Sequence, residues 1–183
     1  MIYEFCAENV TLLEKAMQAG ARRIELCDNL AVGGTTPSYG VTKAAVELAA
    51  NYDTTIMTMI RPRGGDFVYT DLEIAIMLED IRLTAQAGSQ GVVFGALTAD
   101  KKLDKANLEK LIAASKGMEI VFHMAFDELS EEDQLEAIDW LSQAGVTRIL
   151  TRAGVSGDSL EKRFDHYHRI LEHSKSKIEI LPG

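Results

Sequence analysis

Short apolar runs alternate along the whole chain with longer stretches that repeat about every 3.6 residues. The runs Ile2–Cys6, Arg23–Cys27, Thr55–Ile60, Gly91–Gly95, Glu119–His123, Arg148–Thr151 and Lys177–Leu181 predict seven strands. The periodic stretches predict helices near Thr11–Ala19, Val41–Asn51, Asp71–Ala87, Lys105–Ser115, Glu131–Ala144 and Asp158–Ser174. Ala19-Gly20, Ala87-Gly88 and Ala144-Gly145 echo one another. Each ends a helix on a glycine suited to the left-handed cap and enters a strand soon after. Thr70 ahead of Asp71 and Glu73, and Ser130 ahead of Glu131, Glu132 and Asp133, mark helix starts with the capping-box pattern.

Strict strand–helix alternation predicts an α/β domain whose parallel sheet is covered by helices. Two closures compete. A doubly wound dinucleotide-binding sheet carries a glycine-rich turn after its first strand, but here that strand runs into Cys6-Ala7-Glu8-Asn9. A (β/α)8 TIM-barrel architecture is therefore favoured, as a single domain over residues 1–183. A full barrel has eight strands in about 250 residues. This chain of 183 residues shows seven and stops at Leu181-Pro182-Gly183, so it reads as a barrel without its last βα portion. Either an eighth strand is absent from the chain or a second copy covers the closing edge, which makes a homo-oligomer compatible with the pattern.

In a barrel, alternate strand residues point inward and function gathers at the C-terminal strand ends. That parity places Glu4, Cys6, Glu25, Cys27, Met57, Met59, Arg61, Val121 and His123 on the lumen side. The opposite set, Phe5, Ile24, Leu26, Ile56, Ile60, Ile120 and Phe122, should face the helices. Arg61 is expected to balance Glu25 or Glu4, because an unpaired buried carboxylate is costly. Arg63 and Asp66 follow in the loop as either a salt bridge or an anion clamp. His123 is a candidate general acid or base. Cys6 and Cys27 end adjacent strands, about 4.8 Å apart in a sheet. Two readings stay open for them: small apolar filler, or a thiolate pair for Cu(I). His166, His168 and His173 are expected at the surface.

The formal net charge of -9 disfavours nucleic acid and anionic membrane as partners. No apolar segment reaches the roughly 20 residues a membrane span needs, and the first residues lack a signal-peptide pattern. A cytoplasmic location is expected, with the two cysteines as free thiols or ligands.

Six blocks together carry a resemblance: Glu4-Phe5-Cys6, Gly20 to Cys27, Gly33-Gly34-Thr35-Thr36-Pro37-Ser38, Ile60-Arg61-Pro62-Arg63-Gly64-Gly65-Asp66-Phe67, Gly91 to Leu97, and Phe122-His123-Met124-Ala125-Phe126-Asp127. In this order they resemble the CutC family, described as cytoplasmic copper homeostasis proteins with a TIM-barrel fold. The resemblance implies a Cu(I) site at Cys6 and Cys27. It also leaves a mouth set of Glu25, Arg61, His123 and Asp127 as candidate catalytic residues, with Arg63 and Asp66 as candidate ligand-binding residues. The alternative function is thus an enzyme acting on a small anionic molecule. Two departures from the family pattern stand out. Met124 replaces an arginine after His123, and Arg152-Ala153-Gly154 replaces Ser-Gly after Thr151.

Overall fold

The computed structural model describes residues 2–154 and 157–183. Among the described residues, one parallel sheet runs in sequence order through β1 (Glu4–Glu8), β2 (Arg23–Cys27), β3 (Thr55–Met59), β4 (Gly91–Phe94), β5 (Glu119–Phe122), β6 (Arg148–Thr151) and β7 (Glu179–Pro182). The helices between them are α1 (Leu13–Gln18), α2 (Tyr39–Ala49), α3 (Asp71–Ala87), α4 (Lys105–Ala114), α5 (Glu131–Gln143) and α6 (Leu160–Ser174). Each crossover moves to the next strand in the same direction. That order winds a sheet one way, as in a barrel, whereas a doubly wound sheet reverses at a switch point.

The curl is visible in contacts across the lumen. Arg23 on β2 reaches Glu179 on β7 at 3.8 Å, and Arg148 on β6 reaches the Met57 sulfur on β3 at 3.8 Å. The sheet is therefore a TIM-barrel-type wall of seven strands, with β1 and β7 as its edges. No helix of the described residues is long and apolar enough to cross a membrane.

The alternation predicted from sequence sorts the side chains into layers. Ile24, Leu26 and Ile56 pack outward against Leu13 and Met17 of α1 and Ala45 and Ala49 of α2. Ile60, Phe94, Ile120 and Phe122 do the same against α3, α4 and α5. Each such fully buried side chain contributes about 1.5–3 kcal/mol. Facing inward, Cys27, Met57, Met59, Val93, Val121 and Leu150 form a separate lumen cluster. Phe5 has outward parity, but β1 is an edge, and it stays partly exposed.

Helix ends follow the polar signals. Thr70 and Glu73 form a reciprocal capping box at α3, and Ser130 accepts from the Asp133 amide at α5. Gly20, Gly88 and Gly145 take φ of +102°, +89° and +92°, the left-handed turn that ends each helix.

Two strand positions differ from the sequence pattern. β1 is Glu4–Glu8, not Ile2–Cys6. The ladder to β2 carries the strand through the polar Glu8, and the Asn9 amide still donates to the Cys27 carbonyl at 2.8 Å. β7 is Glu179–Pro182, because Lys177 is still bonded back to Ser174 at the end of α6. His166, expected at the surface, is buried and its Nε2 lies 2.6 Å from Gln134 Oε1.

Candidate functional site

The lumen has two polar layers of different character. At the N-terminal ends of the strands, Arg23 pairs with Glu4 and approaches Glu179, while Arg148 pairs with Glu119 and with Glu179 at 3.5 Å. Glu4 is thus held by Arg23 and not by Arg61. This lower layer is a plug of two guanidiniums set among three carboxylates.

The upper layer begins with the sheet register. Cys6 on β1 lies opposite Glu25 on β2, and Cys27 lies opposite Glu8. Cys6 is therefore one step diagonal to Cys27, not level with it. Both thiols hydrogen-bond the same Glu25 oxygen, Oε1, at 3.6 Å from Cys6 and 3.7 Å from Cys27. One ligand atom from each of Cys6, Glu25 and Cys27 lies within 4.8 Å of the others. Cys6 is exposed and Cys27 buried, so the cluster opens to solvent on one side only.

Strands about 4.8 Å apart, with about 6.6 Å for two residues along the chain, put the diagonal Cα atoms about 8 Å apart. A disulfide tolerates about 7 Å at most. An ion between two thiolates, with bonds of about 2.3 Å as in zinc–thiolate sites, spans about 4.6 Å. The arrangement suits a bridging metal and not a direct bond.

Burial sets the protonation of this cluster. Desolvation, aided by the nearby Glu4 charge, lifts the Glu25 carboxyl from its ordinary 4.5 to about 7, against the two thiol hydrogen bonds. The Cys27 thiol is pushed up strongly, first by its contact with Cys6, then by burial and by Glu25. Gly34 closes over the sulfur: it takes φ +85°, and an added Cβ would lie 3.0 Å from Cys27 Sγ.

Arg61 explains the arginine-rich turn after β3. Its Nη1 donates to the carbonyls of Val32 (2.9 Å) and Gly34 (3.0 Å), and Nη2 to that of Gly65 (2.8 Å). The Arg61 amide donates to Thr36 Oγ1 and its carbonyl accepts from the Thr36 amide, both at 2.9 Å. The Gly-Gly-Thr-Thr block and the Arg-Pro-Arg-Gly-Gly block are thus one clamp around the thiols.

Arg63 and Asp66 do not join that mouth. Arg63 binds Glu73 at 2.5 Å and Asp66 at 3.0 Å and donates to the Val68 carbonyl, tying the loop to the start of α3. Asp127 is likewise apart: it accepts from Thr151 Oγ1 and from the Arg152 amide at 3.0 Å, joining β5 to β6. Burial raises its carboxyl above the usual range against those bonds.

His123 does face the mouth. Its Nδ1 accepts from the Ala125 amide at 3.2 Å, and its ring lies 4.8 Å from that of Phe67. Burial, then the Arg61 charge, pushes its pKa down to about 3, so the ring is neutral. Gly95 makes room for it, since a Cβ there would sit 2.7 Å from His123 Cε1. Cys6, Glu25, Arg61 and His123 share the walls of a cavity of about 210 Å³. The two departures from the family pattern also meet: Arg152 Nε donates to Met124 Sδ at 3.2 Å. A guanidinium reaches the place after His123 from the neighbouring strand end.

A curled parallel sheet with two thiols and a carboxylate inside its C-terminal mouth defines a TIM-barrel-type α/β protein with a candidate soft-metal site. The CutC family model matches residues 1–183, and the chain belongs to the CutC family. It is 51% identical to the family protein CutC of Enterococcus faecalis, spanning 100% of this chain and 88% of that one. It is 40% identical to the human copper homeostasis protein cutC homolog, spanning 100% of this chain and 64% of that one. A crystal structure of CutC from Streptococcus agalactiae superposes with a TM-score of 0.94 at 44% identity, over 98% of this chain and 86% of that one. The aldolase QR15 shares the fold alone, with a TM-score of 0.68 at 15% identity over 97% of this chain and 77% of that one.

Proposed function

We propose that this chain binds Cu(I) through the thiolates of Cys6 and Cys27, with the Glu25 carboxylate beside them, in a cytoplasmic copper-handling role. The copper homeostasis name of its human relative supports the ion's identity. The observation that carries the reading is the three-ligand cluster, whose donor atoms all lie within 4.8 Å. Two thiolates suit a soft monovalent ion, and two cysteines are too few for a closed zinc site. Ion capture requires deprotonated sulfur, so binding releases protons and weakens as pH falls. Cys6, on the open side, is the first contact, and exchange with an external thiolate passes through it.

Anaerobic Cu(I) titration against a competing chelator tests this. One ion per chain is expected, lost in the Cys6→Ser/Cys27→Ser double variant with the fold retained. Unchanged stoichiometry in that variant would end the proposal. A second reading, chemistry on a small anion, is favoured by one observation: the buried Arg61 guanidinium beside the thiols is held by backbone carbonyls and lies against the Tyr69 hydroxyl, with no carboxylate paired to it among the described residues.

A further inference from the structure

The mouth cavity holds an imbalance that metal capture would leave in place at Arg61 and His123. Glu25 Oε2, Arg61 Nε and His123 Nε2 are buried and lack a hydrogen-bond partner among the described residues. All three side chains line the same cavity and are less than 10% exposed, at 6%, 4% and 3%. Leaving such groups unsatisfied costs about 1–3 kcal/mol each.

Charge sharpens the point. The buried arginines of the lower layer, Arg23 and Arg148, each have a carboxylate. Among the described residues Arg61 has three carbonyls, the Tyr69 hydroxyl and the face of Phe67, 4.9 Å from its guanidinium carbon, but no carboxylate. A buried cation without a counterion is the costlier state. Because His123 Nδ1 accepts a backbone N–H, the proton of the neutral ring is on Nε2, which is therefore a donor. Apart from the Cys6 thiol and Gly33, the remaining walls are apolar: Leu30, Met59, Phe67, Met124 and Leu150. At about 210 Å³ the cavity lies below the usual range of ligand pockets, about 300–1,000 Å³, and suits a small molecule.

We propose that this cavity binds a small organic carboxylate with a short apolar body, Arg61 supplying the counter-charge and His123 Nε2–H a second donor. The site adjoins the proposed metal site, because Cys6 and Glu25 also line this cavity, but its two anion donors, Arg61 and His123, are not candidate metal ligands; the proposal rests on the small-anion reading and names its substrate class. Phosphate fits less well, because the apolar walls leave its further oxygens without donors.

The test uses the metal-free chain at constant ionic strength. Butyrate and pyruvate are titrated by calorimetry, with n-butanol as an uncharged four-carbon analogue and inorganic phosphate as the alternative anion. Saturable one-to-one binding of butyrate or pyruvate is expected, with a shift of the His123 Nε2–H resonance and no binding of butanol. Arg61→Gln should weaken it about ten- to hundredfold. Because Arg61 also holds three backbone carbonyls, Leu30→Trp serves as the second variant. Leu30 is 39% exposed on the cavity wall, so a larger ring there fills the cavity without disturbing the core. It should abolish binding with an unchanged melting temperature in the absence of ligand. No saturable carboxylate binding, butanol or phosphate binding more tightly than butyrate and pyruvate, or full affinity in Leu30→Trp would each overturn the proposal.

Discussion

Replacing Glu25 with glutamine should stabilise the metal-free protein, and only above the acid range. The carboxyl is 6% exposed, and burial lifts its pKa from 4.5 to about 7. The fold thus prefers the protonated form. Glu25's stabilising contribution is complete below about 4.5 and is lost as pH rises through about 7. The gap of about two and a half pH decades, at about 1.4 kcal/mol each, makes the ionised carboxylate cost about 3 kcal/mol at pH 8. Glutamine keeps the oxygen that accepts from both thiols and never ionises. Glu25→Gln should match wild type near pH 4.5 and exceed it by about 3 kcal/mol at pH 8. For a chain of this size that is a rise in melting temperature of about 6–12 °C. Calorimetric melting in reductant at pH 4.5, 6 and 8 reads it directly. A difference that does not change with pH would refute the assignment of this burden to Glu25.

Other consequences follow from named contacts. Gly34→Ala combines a left-handed backbone with a Cβ 3.0 Å from Cys27 Sγ. It should cost about 1–3 kcal/mol in urea unfolding and weaken Cu(I) binding in chelator competition. Gly95→Ala places a Cβ 2.7 Å from His123 Cε1, so the ring must move, and the His123 Nε2–H resonance should shift with a loss of about 1–3 kcal/mol. Oxidation with diamide should leave no intramolecular disulfide, because the diagonal Cα separation is about 8 Å; a Cys6–Cys27 crosslink in peptide mapping would contradict the register. Thr70→Ala removes a reciprocal cap and should cost about 1 kcal/mol of thermal stability.

Strand parity was legible because alternation is local: a residue and its second neighbour share a face whatever the fold. That alone brought Cys6, Glu25, Cys27, Arg61 and His123 to one lumen. Register is not local. β1 continues through Ala7 and Glu8 because β2 offers it carbonyls, and no alternation within Cys6-Ala7-Glu8-Asn9 announces this. The lower ion-pair layer had a readable signal, since Arg23 and Arg148 share inward parity with Glu25 and Leu150. Burial of His166 was also readable, because it recurs at four-residue steps with Ile170 and Ser174 on the buried face of α6. Two histidines spaced by two obscured that stripe. The partners of Arg61 were not readable at all, since they are backbone carbonyls of loops and carry no side-chain signature.

The two polar layers of the lumen divide the work of the barrel between them. Below, every buried guanidinium meets a carboxylate, and Glu179 serves both Arg23 and Arg148. The lower guanidiniums therefore need no ligand to supply a counter-charge. Above, Glu25 and Arg61 line the same cavity yet take separate partners, thiols for one and carbonyls for the other. Had they paired, each would have neutralised the other and left nothing for a guest. Kept apart, the carboxyl remains beside two soft sulfur donors, and the guanidinium has no counter-charge among the described residues. On the two proposals, the sulfurs with Glu25 take a cation and Arg61 takes an anion, so the upper layer would serve two guests of opposite charge.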